Sequence, residues 1–194
     1  MDKKIFTDIP FDLDFNQLKE SLKLRDNKRI IEKATDLIEQ AQNVAKPKAI
    51  YIETLIEKRD IDYIVIKGVM FKSKELKDHT NHVDVVFPYV MTCGTEIEKI
   101  SNEIEDVMSK YILDGIKTMI LHSTTDYISE HIKANYGFEN IKYDIPGSLD
   151  EWQMSAQTQL FQIIGEITEL IGVRLSDSYI MNPSKSVSGI YYAG

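Results

Sequence analysis

The 194-residue chain carries 23 basic and 31 acidic side chains, a net charge of -8, and so lacks the basic footprint that a general nucleic-acid binder requires. Its one cysteine, Cys93, excludes an internal disulfide framework and a cysteine-based zinc cluster, which makes a reducing cytoplasm the expected location. No apolar run approaches membrane-spanning length, and no secretion or anchoring signal is visible.

From the N-terminus, Ile9, Phe11 and Leu13 alternate with polar residues between Ile5 and Phe15, as in an extended arm. Asp14 is placed to cap a short helix bearing Leu18 and Leu22 on one face. Between Asn27 and Ala45, Ile30, Ile31, Ala34, Leu37, Ile38, Ala41 and Val44 recur at helical spacing, and Pro47 ends the pattern. Ala49 to Glu57 and Asp62 to Met70 are rich in Ile, Tyr and Val and predict two strands. A short helix is expected over Ser73 to Asp78. A further strand follows over Val83 to Met91, where the run Val85-Val86-Phe87 implies burial on both faces.

Thr92-Cys93-Gly94-Thr95 then turns the chain into a long helical region, with Ile97, Ile100, Ile104, Val107, Met108 and Ile112 as its apolar stripe. A break is expected near Asp114-Gly115, and Gly137 is placed as a left-handed C-cap. Ser148 and Glu151 have capping-box spacing ahead of a helix that buries Leu160, Phe161, Ile164, Ile167 and Ile171 and ends at Gly172. Strands over Leu175 to Ile180 and Ser186 to Tyr192 complete a single α+β domain. It divides into an N-terminal arm and helices (1–46), a sheet with long helices (47–140) and a C-terminal motif region (141–194).

Three features are candidates for chemistry. Small residues at Ser186, Ser188 and Gly189 allow close approach of a ligand or of another backbone, and Tyr191 and Tyr192 offer ring faces to a purine or a sulfonium. Taken alone, the same residues describe an edge strand packed under a helix. Cys93 sits where a helix N-terminus activates a thiolate, yet a Thr-Cys-Gly corner is also a common turn. His79 and His82 flank a turn with Asp78 and Asp84 but complete no four-ligand metal set, so a solvated loop is the expected reading. No glycine-rich phosphate loop is present.

The run Ile171-Gly172-Val173-Arg174-Leu175-Ser176-Asp177-Ser178-Tyr179-Ile180-Met181-Asn182-Pro183, followed by Ser186-Val187-Ser188-Gly189, resembles the S-adenosylmethionine (AdoMet)-binding region of the activation domain of cobalamin (vitamin B12)-dependent methionine synthase. Pro146-Gly147-Ser148-Leu149-Asp150-Glu151-Trp152 is similar to a Pro-Gly-Ser-Leu-X-X-Trp variant of free-standing members of that family. Many activation domains carry Arg-X-X-X-Gly-Tyr at this point. Gly147 matches its glycine, Ser148 replaces its tyrosine and Tyr143 falls at its arginine, with Lys142 beside it. A tyrosine cannot make the bidentate bond of a guanidinium to a carboxylate. The corrinoid-binding signature Asp-X-His-X-X-Gly is absent, since His79 directly follows Asp78.

The resemblance implies a bent antiparallel sheet wrapped by helices. It implies AdoMet as bound cofactor, with Ser186, Ser188, Gly189, Tyr191 and Tyr192 as one wall of its site and Gly147 with nearby backbone as the other. It further implies a free-standing reactivation protein for a corrinoid-dependent methyltransferase. Cobalamin would be held by a partner, a corrinoid-binding protein or the methionine synthase core, and a flavodoxin or ferredoxin-like protein would donate the electron. Reductive methylation of cob(II)alamin by AdoMet needs no protein acid or base, so no catalytic side chain is expected, only orientation of the reacting groups. Tyr143 in the arginine position motivates an alternative, a module that caps a corrinoid protein without AdoMet. A subunit of a split methionine synthase is a third.

Overall fold

The computed structural model describes residues 3–194. Its centre is strand β6 (Val85–Thr92), all but one of whose residues are buried, as the unbroken apolar run requires. One edge of β6 pairs with β2 (Lys48–Ile52) and, in continuous register past Glu53, with β3 (Thr54–Arg59); its other edge pairs with β10 (Ser186–Ala193). Beyond β2 lies β1 (Lys3–Phe6), beyond β3 the hairpin β4 (Tyr63–Ile66) and β5 (Val69–Lys72), and beyond β10 the short strand β7 (Ile141–Asp144). Every pairing is antiparallel. At Glu53 one branch of the sheet continues through β1 and the other through β4, which bends it.

Strand alternation sends alternate β6 side chains to opposite faces. Val86 and Val90 join Ile190, Tyr192 and Trp152 under α6 (Gln157–Ile164) and α7 (Ile167–Ile171). Phe87, Tyr89 and Met91 join Tyr51, Tyr191, Ile128 and Ile132 under the second half of α5 (Val107–Tyr136). The first half of α5 contributes Ile112, Leu113, Ile116 and Ile120 to a third apolar cluster with α1 (Phe15–Ser21) and α2 (Lys28–Val44).

The local signals act as their chemistry dictates. Asp14 accepts from the Gln17 N–H at 2.8 Å and Asn27 from the Arg29 N–H at 2.9 Å, each capping its helix. Ser73 caps α3 (Lys74–His79) through the Leu76 N–H at 3.1 Å, and Gly137 closes α5 at φ 69°.

Four expected boundaries move. The strand expected over Asp62 to Met70 is the β4–β5 hairpin: Lys67 and Gly68, at φ 50° and 71°, make the left-handed two-residue turn that a twisted hairpin favours. The long helix runs unbroken through Gly115, where a Cβ would meet the Leu22 side chain at 2.7 Å. The break comes earlier, between α4 (Glu98–Glu103) and α5, because Asp106 caps α5 by accepting from the Ser109 N–H at 3.0 Å.

Ser148 and Glu151 form no capping box. Ser148 bonds the Ile145 carbonyl, Glu151 accepts instead from the Lys74 N–H at 3.2 Å, and Glu75 returns the contact to the Asp150 N–H at 2.9 Å. The helix they precede starts only at a 3-10 turn over Met154–Ala156 and breaks at Gly165. Finally, the strand expected over Leu175 to Ile180 is a loop over residues 176–180, joining the two-residue strands β8 (Arg174–Leu175) and β9 (Met181–Asn182). Among the described residues no helix is long and apolar enough to cross a membrane.

Candidate functional site

The two motif segments meet at the β7–β10 edge of the sheet. β7 pairs with residues 190–193 of β10 and then departs at Ile145-Pro146-Gly147-Ser148. The Ser148 N–H bonds the Ile145 carbonyl at 3.1 Å and Gly147 has φ 90°, a type II turn with Pro and Gly in the positions that turn demands. The Gly147 N–H is anchored on the Trp152 carbonyl at 2.6 Å. Once β7 has left, Ser186 to Ser188 have strand β6 on one side only among the described residues.

The side chains nominated from sequence divide between the two faces of the sheet. Gly189 and Tyr191 face α5; Ser188 and Tyr192 face the cluster under α6. Ser188, Tyr191 and Tyr192 are buried, Ser186 is half-buried with its hydroxyl on the Pro183 carbonyl at 2.7 Å, and Gly147 is exposed. These residues therefore do not present one continuous wall of side chains. Gly189 is the clearest in function. A Cβ there would fall on the Asp144 carbonyl, with the Tyr89 hydroxyl at 2.8 Å and Ile145 at 2.9 Å, so glycine allows β7 and the Tyr89 ring to close on β10.

That closure shapes a cavity of about 290 Å3 between the sheet edge and α5. Val187, Ile145 and Tyr143 come from the two motif segments; Leu121, His122, Thr125 and Asp126 come from α5, and Tyr89 from β6. The Tyr89 hydroxyl is buried and has no hydrogen-bond partner among the described residues. Burial, together with Tyr191, Tyr143 and Asp144 nearby, pushes its pKa well above the ordinary phenol value, so it is a neutral donor at any physiological pH. An orphaned hydroxyl in this position costs about 1–3 kcal/mol until something accepts from it. Tyr191 stacks obliquely on Tyr89, centroids 4.5 Å apart, and gives its own hydroxyl to the Thr125 carbonyl at 3.2 Å. Tyr143 meets Tyr191 edge-on at 5.6 Å, keeping the 143 side chain on this face. Lys142 is turned to the other face by alternation, so it does not stand beside Tyr143 within the cavity.

On that other face, Asp144 is 7% exposed. Its Oδ2 accepts from the Tyr192 hydroxyl at 2.8 Å and lies 2.9 Å from His79 Nδ1. His82 Nε2 is 3.0 Å from the Ala193 carbonyl. The two histidines are thus fastened to the β7–β10 edge, where the sequence suggested only a solvated loop. Asp126, Tyr89 and the His79–Asp144 pair are the residues that sequence reasoning missed. Asp126 lies inside a long helix with no local mark, and His79 meets Asp144 across 65 positions.

Cys93 belongs to the corner and not to the site. It is fully buried, its N–H bonds the Lys185 carbonyl at 3.0 Å, and burial pushes its thiol up to about 12. Gly94, at φ 98°, lets the chain pass against the Lys46 backbone. We expect a thiol reagent at pH 8 to leave the native protein unlabelled and to label it stoichiometrically after denaturation. Rapid labelling of folded protein would contradict this burial.

Comparison with models of known protein families finds no match, and no curated protein matches the sequence. Among solved structures the fold is similar to that of the MetH reactivation domain bound to AdoHcy, with TM-score 0.69, 16% sequence identity, and coverage of 94% of this chain and 70% of that chain. At that identity the likeness establishes a shared fold, and the bent antiparallel sheet wrapped by helices is as the sequence resemblance implied.

Proposed function

We propose that the chain is an AdoMet-binding reactivation module for a corrinoid-dependent methyltransferase of the methionine synthase type. It would act on cob(II)alamin held by a partner chain, with an electron from a flavodoxin or ferredoxin-like protein. The observation that carries this reading is the convergence of both motif segments, through Tyr143, Ile145, Val187 and Gly189, on one cavity, beside which the Tyr89 hydroxyl is buried without a partner among the described residues. The residues suit a nucleoside. Leu121, Ile145 and Val187 supply apolar walls, Tyr143 a ring face for a purine, Asp126 an acceptor for ribose hydroxyls and Tyr89 a buried donor. AdoMet, when bound, supplies a methyl group on a sulfonium, a leaving group good enough that no protein acid or base is needed. The chain's share is to fix the nucleoside and aim the sulfonium outward.

Calorimetric titration with AdoMet tests the reading. Saturable binding is expected, weakened about tenfold or more by Val187→Trp, which fills the cavity, and several-fold by Asp126→Asn. Both positions are at least partly exposed, so the fold should tolerate the changes. Folded wild-type protein that shows no binding at millimolar AdoMet would sink the reading. It would favour the second one, a module that caps a corrinoid protein, which the absence of Lys and Arg from the cavity supports.

A further inference from the structure

A second cavity, of about 440 Å3, lies across β7 from the first. It is lined by His79, Ile141, Lys142, Tyr143, Asp144 and Tyr192. The two cavities share Tyr143, which is about half exposed and stands at the strand that divides them.

The first cavity is at the lower end of the range for small-molecule sites, roughly 300–1,000 Å3. With neither Lys nor Arg in its lining, it suits the nucleoside half of AdoMet and not the carboxylate of the methionine half. The second cavity has the opposite character. Its one carboxyl group, Asp144, is already engaged at Oδ2 by Tyr192 and His79. With Nδ1 turned to Asp144, His79 directs Nε2 away from the buried carboxyl, and its side chain is nearly half exposed. A charged imidazole donates from both nitrogens, one to Asp144 and one to the cavity. Lys142 is exposed, lies along Gly194 and has no ion-pair partner among the described residues, whereas most lysines near the sheet are tied to carboxylates. An ammonium group and an imidazole able to carry two protons thus line one cavity whose carboxyl group is already occupied. Their natural complement is a small carboxylate, one oxygen to each.

We propose that His79 and Lys142 form a carboxylate subsite that holds the amino-acid end of the ligand across β7 from its nucleoside end. They would do the work that Tyr143, standing where a guanidinium would otherwise reach, cannot do. This inference rests on the reading of the ligand as AdoMet. The sulfonium would then pass the β7 edge against the Tyr143 ring, a favourable partner for a cation.

The test compares two probes, AdoHcy and 5′-methylthioadenosine, which share the nucleoside and the thioether but differ in the amino-acid end. Calorimetry on wild-type protein should show AdoHcy binding about tenfold or more tighter. In the His79→Gln, Lys142→Gln double variant that preference should vanish, while the methylthioadenosine affinity stays within about twofold of wild type. Both side chains are exposed and glutamine retains a donor for Asp144, so the fold should persist. A preference that survives in the double variant would overturn the subsite, as would equal affinity of the two probes for wild-type protein. If wild-type protein binds neither probe, the AdoMet reading itself fails and the subsite with it.

Discussion

Gly189→Ala is expected to destabilise the protein by about 3 kcal/mol, as a fall in the urea midpoint with little change in slope. The reason is space, not backbone angle. Gly189 lies on β10 where β6 and β7 flank it, and a methyl group there would meet the Asp144 carbonyl, the Tyr89 hydroxyl and Ile145 at once. Two of these obstacles resist movement. The carbonyl belongs to a paired strand, and the Tyr89 ring is fully buried against Tyr191. Removing the hydroxyl with Tyr89→Phe should therefore rescue only part of the loss, because the carbonyl remains. A Gly189→Ala protein within about 0.5 kcal/mol of wild type would mean that β7 yields freely, and the tight closure that shapes the cavity would have to be given up.

Trp152→Ala should cost more, about 3–5 kcal/mol. Trp152 is 1% exposed and is the largest fully buried side chain of the cluster beneath α6, packed with Ala156, Leu160 and Ile190. It also fixes the motif loop, since its backbone carbonyl receives the Gly147 N–H and its own N–H reaches the Leu149 carbonyl at 3.2 Å. Its indole Nε1 has no partner among the described residues, which separates the ring's volume from its polar atom. Trp152→Phe keeps most of the volume and removes the orphaned donor, so it should lose far less stability than Trp152→Ala. Equal losses for the two variants, measured by thermal or urea unfolding, would show that the ring's volume is not what holds the cluster together.

The fold was legible where local chemistry decides structure. Asp14 and Gly137 act through short side-chain or backbone bonds to their own helices, and sequence alone places both as caps; Asn27 and Ser73, where helices were expected to begin, prove to be caps as well. The apolar run Val85-Val86-Phe87 located β6, because burial on both faces leaves little alternative. Legibility failed where a distant segment competes for a local donor. Glu151 has the spacing to cap its own helix, but the Lys74 N–H claims it, and that contact cannot be read without the tertiary structure. Gly115 looked like a helix breaker, yet it is the place where Leu22 packs onto α5. The site divides in the same way. The motif segments name the strand edge, but which nominated side chains face a ligand depends on alternation about that edge, which sends Tyr191 and Tyr192 to opposite sides.

Helix α5 runs through two of the three apolar clusters, with Ile112 to Ile120 in one, Ile128 and Ile132 in the other, and Thr125 and Asp126 at the join. Its 30 residues form a rod of about 45 Å with a fixed turn of about 100° per residue. Inserting or deleting one residue between Ile120 and Ile128 would therefore swing the whole second half off the sheet and carry Asp126 away from the β7–β10 edge. Length can vary through this part of the chain only at the ends of the rod, before Asp106 or after Gly137. The distance along the sequence from the first cluster to the site is a fixed quantity, to be preserved in any redesign as strictly as the identity of the residues themselves.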